Sequence, residues 1–215
     1  MYSNYDITTA KWGEVKEMGH YDMAILPWGA TEPHNLHLPY CTDMLTAQAV
    51  AFEVAEKAAM QGVNLMVLPG IPLGSQNPGQ IELPYCIHTS QTTQMAILRD
   101  VVRSLKRQGI RKLMIMSGHG GNNFKGIIRD IMIEDPEMII VHNEWFAIIP
   151  RTDYFEEKED DHAGELETSV MLHYYPDLVR MDLAGDGQFS KFGIEGLNTK
   201  VAWLPRDWSK VTQDT

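Results

Sequence analysis

Four short runs in this chain, residues 23–26, 65–68, 113–116 and 138–141, are apolar at every position. A strand with one wet face alternates polar and apolar residues, so runs without alternation must be covered by helices on both sides. The stretches between them repeat apolar residues at helical spacing. Residues 44–61 carry Leu45, Ala49, Phe52, Val54, Ala55 and Ala58, with Gly62 as a stop signal. Residues 92–108 carry Met95, Leu98, Val101, Val102 and Leu105 and end at Gly109. A third helical pattern covers 123–133, and a fourth, 166–175, is closed by Pro176. This alternation predicts a βαβ series with a mostly parallel sheet. At 215 residues and 44% hydrophobic, the chain is expected to fill one core as a single domain, residues 1–215. From Gly185 onward it turns Gly-rich and polar, with Trp203 and Trp208 but no clear period. That tail is expected to continue into further chain or to lean on a neighbouring subunit.

In such sheets ligands sit beyond the carboxyl ends of the strands, and the chemically active residues gather there. Glu32 and His34 follow the first run, and Asp43 opens the next helix. Two residues apart in extended chain, Glu32 and His34 point to one side; Asp43 is equally an N-cap. The turn Gly118-His119-Gly120-Gly121-Asn122 follows the third run. Its glycines suit positive φ and close approach to a ligand, but it lacks the spacing of a phosphate-binding loop. The His suits a metal, and Asn122 alone would suit a helix cap. The third cluster, Asp161-His162-Ala163-Gly164-Glu165-Leu166-Glu167, opens a helix where the macrodipole favours acids without accounting for the His. His142 and Trp145 follow the fourth run; His142 could line a pocket or serve structure. Three clusters of Glu, His and Asp at one sheet edge suit a pair of divalent ions such as Zn²⁺ or Mn²⁺. Two such ions about 3.5–4 Å apart would generate hydroxide at neutral pH and polarise a carbonyl, which is hydrolytic chemistry.

Composition removes other classes. With 18 Lys+Arg against 29 Asp+Glu the net charge is −11, which argues against nucleic-acid and anionic-membrane partners. The densest charged run, residues 156–161, is expected to be solvated. Cys41 and Cys86 read as reduced thiols, and with neither a signal peptide nor a membrane span expected, the cytoplasm is the expected location. His20, His88 and His173 are scattered and expected to be structural, and the methionines fall on core stripes.

Together, Trp28-Gly29-Ala30-Thr31-Glu32-Pro33-His34, His37-Leu38-Pro39, Thr42-Asp43, Gly118-His119-Gly120-Gly121-Asn122 and His162-Ala163-Gly164-Glu165-Leu166-Glu167-Thr168-Ser169 resemble the creatininase (creatinine amidohydrolase) family over roughly residues 10–180. The resemblance implies a three-layer α/β/α fold, a binuclear metal centre, a ring-shaped homo-oligomer, often a hexamer, and hydrolysis of amide or ring C–N bonds by metal-bound hydroxide. It places Glu32, Asp43 and His119 on one ion, with His34 and the bridging Asp43 on the other. The family's further carboxylate falls at Gly121 here, so Glu165 is expected to replace it, with Glu167 as the fallback. His162 corresponds to a proton-shuttling His near the substrate, and Trp145 to an active-site Trp. Gly120 and Gly121 are expected at the substrate, while His37, Glu167 and Asn122 are expected to orient ligands.

The departures bear on substrate. Gly120 stands where creatininase has an aromatic residue, the Trp ahead of the helix-opening His is replaced within the charged run around Lys158, and Leu83-Pro84-Tyr85-Cys86 replaces a Phe-Pro-Gly-Thr segment. A pocket without those contacts should hold a small molecule other than creatinine. The family also includes formamidopyrimidine deformylases, peptide-processing members and keto-inositol hydrolases. The expected reaction is therefore cleavage of a cyclic amide, lactam or formamide. The alternatives are ring opening of a cyclic keto compound, or a binding module that has lost turnover, the latter suggested by the carboxylate missing at Gly121.

Overall fold

The computed structural model describes residues 5–157 and 162–212. Strands β1 (Met23–Trp28), β2 (Leu65–Val67), β3 (Lys112–Ser117) and β4 (Ile139–Glu144) form one parallel sheet in the order β2-β1-β3-β4. The helices are α1 (Trp12–Met18), α2 (Thr42–Ala59), α3 (Gln91–Arg107), α4 (Phe124–Glu134), α5 (Glu165–Tyr174) and the single turn α6 (Glu195–Asn198). The four expected strands and four expected helices are all present, with ends shifted by up to three residues. Helix α1 and the turn α6 were not foreshadowed by any apolar period.

Successive side chains of a strand point to opposite faces. Ala24, Leu26 and Trp28 of β1 and Leu113 and Ile115 of β3 face one way, onto Leu98 and Val102 of α3 and Phe124, Ile127 and Ile131 of α4. Ile25, Val67 and Met116 face the other way, onto Ala47, Ala51 and Ala55 of α2. Alanines four apart share one helix face, so α2 lies close against the sheet, and α5 packs on α2 in turn. This is the expected three-layer α/β/α arrangement. One expectation fails at the sheet edge. Ile139 and Val141 of β4 are exposed, so that strand is covered on one face only.

Strand β1 runs on through Pro27, which cannot donate to a ladder. Its position explains the tolerance: β2 pairs with β1 only as far as Ile25, so no β2 acceptor is left without a donor opposite Pro27. On the other side β1 and β3 stay paired to their last residues, Trp28 and Ser117. The chain leaves β1 for one neighbour and returns on its other side as β3. The crevice beyond these two carboxyl ends is the topological switch point of the sheet.

Candidate metal centre

The first turn of α2 is pressed into that crevice because a glycine, Gly29 or Gly118, directly follows each strand. A Cβ on Gly118 would overlap the Asp43 carbonyl, and one on Gly29 would lie 2.7 Å from the Asp43 Cβ. Asp43 is thereby held 2% exposed between the two strand ends. The glycines of the 118–121 turn supply room and not the left-handed backbone expected of them, since none has positive φ.

Around Asp43 the polar side chains converge. His119 Nδ1 lies 3.0 Å from Glu32 Oε1 and 3.1 Å from Asp43 Oδ2, and His34 Nε2 lies 2.9 Å from Asp43 Oδ1. Glu167 Oε2 is 4.0 Å from His34 Nε2, and His162 Nδ1 is 3.9 Å from Glu32 Oε1. Three ligand sets follow among the described residues: Glu32, Asp43 and His119; His34, Asp43 and Glu167; and Glu32, His34 and His162. The first two share Asp43, one oxygen toward each.

The imidazoles are oriented by the main chain. His119 Nε2 is 2.8 Å from the Ser75 carbonyl, His34 Nδ1 is 3.1 Å from the Glu32 carbonyl, and His162 Nε2 is 2.8 Å from the Pro33 carbonyl. A carbonyl only accepts, so each of these nitrogens carries a proton and the other nitrogen of each ring is the one facing the carboxylates. Asp43 Oδ2 is buried without a hydrogen-bond donor. Buried carboxylates that face nitrogen lone pairs are costly unless a cation lies between them. The donor set, all carboxylate oxygen and imidazole nitrogen, suits divalent ions such as Zn²⁺ or Mn²⁺.

With protons standing in for cations, the same strain shifts the pKa values of these groups. Burial opposes the charged form of His34, but Asp43, Glu167 and Glu32 outweigh it and raise its pKa to about 10. His119 is raised well above its usual value against the same desolvation, chiefly by Glu32 and Asp43. Burial works against the Asp43 carboxylate, yet His34 and His119 hold it well below the usual range. Glu167 is raised, first by burial.

The expected replacement for the carboxylate at Gly121 needs correction. Glu165 does not reach the cluster; its Oε2 accepts from the backbone N–H groups of Glu156 and Glu157 at 2.8 and 2.9 Å. Glu167, the fallback, enters the cluster in its place. Its Oε2 accepts from Ala163 N at 2.6 Å, across a backbone turned to φ 52 at Ala163. Gly121 itself could not carry a side chain here, because a Cβ would overlap the Ser75 carbonyl and sit 2.5 Å from His119 Nε2. Gly120 is exposed with open space around it, and both glycines line the cavity above the centre.

Trp145 is the second correction. It packs against the core between α2 and the sheet and does not line that cavity. Trp203 and Trp208, from the tail, line it instead. Trp208 is 7% exposed and meets the His162 ring edge-on at 5.3 Å. His142 lies within β4 and lines the cavity. His37 Nε2 bonds Thr168 Oγ1 at 2.9 Å and so anchors the helix that carries Glu167. Asn122 does not cap α4, which Asn123 does. Its Oδ1 accepts from Ser75 N and from Gln94 Nε2, holding the Ser75 strap against the His119 turn. Residues 158–161, including Asp161 and Lys158, lie outside the described residues.

The stretch between β2 and α3 contributes most of what sequence reasoning missed. Ser75 fixes the His119 ring, and Gln80 Nε2 donates to Glu32 Oε2 at 2.5 Å. Gln76 lines the cavity with both side-chain amide atoms buried and unpaired. The available signal was length, since residues 68–90 exceed the roughly 12–15 residues of ordinary connections and such loops are commonly functional.

A family model described as creatinine amidohydrolase matches residues 8–215. A creatinine amidohydrolase of Pseudomonas putida is 30% identical over 75% of this chain and 68% of its own length. A 3-dehydro-scyllo-inosose hydrolase of Thermotoga maritima is 26% identical over 85% of this chain and 62% of its own length. The chain thus spans about three fifths to two thirds of these relatives. Among solved structures, a Bacteroides fragilis protein named as a candidate creatinine amidohydrolase superposes with a TM-score of 0.97 at 55% identity, covering 100% of this chain and 85% of that one. A crystal structure of creatininase gives 0.75 at 27%, covering 89% and 80%. Other solved creatininases are described as a Zn-Zn type and a Mn form. With this fold, this cluster and a family match over nearly its whole length, the chain belongs to the creatininase family.

Proposed function

We propose that this chain is a binuclear metal-dependent hydrolase that cleaves a C–N amide-type bond in a small molecule. The observation that carries this is the pair of ligand sets meeting at Asp43: Glu32 and His119 on one side, His34 and Glu167 on the other. When bound, two divalent ions supply Lewis-acid polarisation of the scissile carbonyl and an acidified water. The chain's own residues do the rest. Ser75 and Gln80 hold His119 and Glu32 in register. His162, its Nε2–H committed to Pro33, presents Nδ1 toward the centre, where it would take a proton from the attacking water and pass it to the departing nitrogen. Trp208, edge-on at 5.3 Å, and His34, whose ring centroid lies 4.4 Å away, fix the His162 ring between them. The unpaired donor and acceptor of Gln76 match the C=O and N–H of an amide substrate.

Glu167, grouped with His34 and Asp43, weighs against a binding module without turnover, whose main support was the carboxylate missing at Gly121. The named activity of the Thermotoga relative keeps ring opening of a cyclic keto compound as the second reading. Exposed Tyr85, Trp203 and Val201, each more than 80% accessible, support a homo-oligomer, and a hexamer is the size the family resemblance gives. The chain works as one domain, and the free thiols Cys41 and Cys86 fit a cytoplasmic setting. Among the described residues no helix is long and apolar enough to cross a membrane.

The test is metal analysis joined to a screen of cyclic amides, lactams, formamides and keto-inositols with Zn²⁺ or Mn²⁺. Near two ions per chain and amide turnover abolished by His119→Ala are expected. Turnover that survives that change, or a protein that takes up no metal, would reject the proposal.

A further inference from the structure

The cavity of about 830 Å³ above the centre is lined by three basic side chains, Lys125, Lys200 and Arg206, alongside its acids. Its acids are Glu32, Asp43 and Glu167 at the metal cluster, and Glu144. Two divalent ions would more than neutralise the first three. What then faces the remaining space is Lys125, Lys200 and Arg206 against Glu144 alone, in a protein of net charge −11. Resting on the hydrolase reading above, we propose that the substrate is an amide bearing an anionic group, carboxylate or phosphate, which Lys125 and Lys200 hold while the amide lies at the metal centre.

Three observations support this beyond the count of charges. Lys125 stands in the first turn of α4, which carries no acidic residue, so it adds its charge to the positive end of a helix dipole. An anion there satisfies both. Lys200 adopts φ 60, a left-handed backbone that a side-chain-bearing residue takes only at a cost. That conformation is fixed by Lys200 N donating to Leu197 O and Val201 N to Gly196 O, in the turn that brings the lysine to the cavity. Neither lysine has an ion-pair partner among the described residues, whereas Lys106, Lys210 and Arg180 all do. Arg206 is already engaged and contributes only its field.

Calorimetric titration of the zinc-loaded protein with matched pairs tests the proposal without requiring turnover. The pairs are pyroglutamate against its parent lactam pyrrolidinone, and glycerol phosphate against glycerol. The anionic member of at least one pair is expected to bind about tenfold tighter, the worth of one well-made charged contact. The pair with the larger gap tells carboxylate from phosphate. In the double variant Lys125→Gln/Lys200→Gln that advantage should disappear while zinc content stays at two per chain. Equal affinities within both pairs, no binding of any member, or an advantage that survives the double variant would overturn the proposal; the last would mean that the metals alone hold the anion. Failure to take up zinc would count against the hydrolase reading instead, and the same titrations on the metal-free protein would still show whether the lysines select for charge.

Discussion

Glu165 and Glu167 differ by two positions, which on a helix is about 200° around the axis, so only one of them can face the centre. The motif showed that a carboxylate was available; it could not show which, because the answer turns on how the helix is entered. The left-handed Ala163 sets that entry and gives its N–H to Glu167. Glu167→Gln should therefore remove about one metal ion per chain, while Glu165→Gln keeps both, as read by metal analysis of the purified proteins. Gln80→Leu leaves the Glu32 carboxylate without its donor and should weaken metal binding by about 10–100-fold. Gln76→Leu should raise KM more than it lowers kcat, since its amide faces the cavity and bonds no ligand. Equal losses in both constants would place it in the chemical step. Glu32, His34, Asp43 and His119 were legible from their spacing and position, and the geometry brings them together. Ser75, Gln76 and Gln80 were not, for an isolated Ser or Gln in a loop carries no periodic or motif signal.

At the level of elements, the runs that lacked alternation gave the parallel strands, and their order placed the polar clusters at one edge. What could not be read was cover. The run 138–141 is as apolar in sequence as the other three, yet Ile139 and Val141 leave one face of β4 bare. The tail likewise hid its role, because a wall built from irregular chain has no period to detect. Gly121 shows how one element constrains another. The Ser75 strap crosses so close to the 118–121 turn that Gly121→Ala should break the Ser75–His119 hydrogen bond. Overpacking of this kind costs about 1–3 kcal/mol, and a lowered Tm together with reduced metal content is the expected outcome. An unchanged Tm would show that the strap can move aside.

For the molecule as a whole, the buried charges link metal content to pH. In chelated protein His34 keeps its proton up to about 10, against 6.5 for an ordinary imidazole. A raised pKa stabilises the fold fully below about 6.5 and loses that contribution as pH rises through about 10. Metal-loaded protein has ions in place of those protons. The gap in Tm between loaded and chelated protein should therefore widen as pH is raised across that window; parallel curves would contradict the assignment. The metal-facing floor of the cavity comes from residues 32–167, whereas Phe192, Lys200, Trp203, Arg206 and Trp208 of its wall come from a later, mostly irregular stretch. Apart from Trp208, which meets the His162 ring, floor and wall are thus separately mutable. Substitutions in the later stretch can exchange one substrate for another without disturbing a single metal ligand, so a lineage built on this plan can diversify in what it consumes while its bond-breaking chemistry stands still.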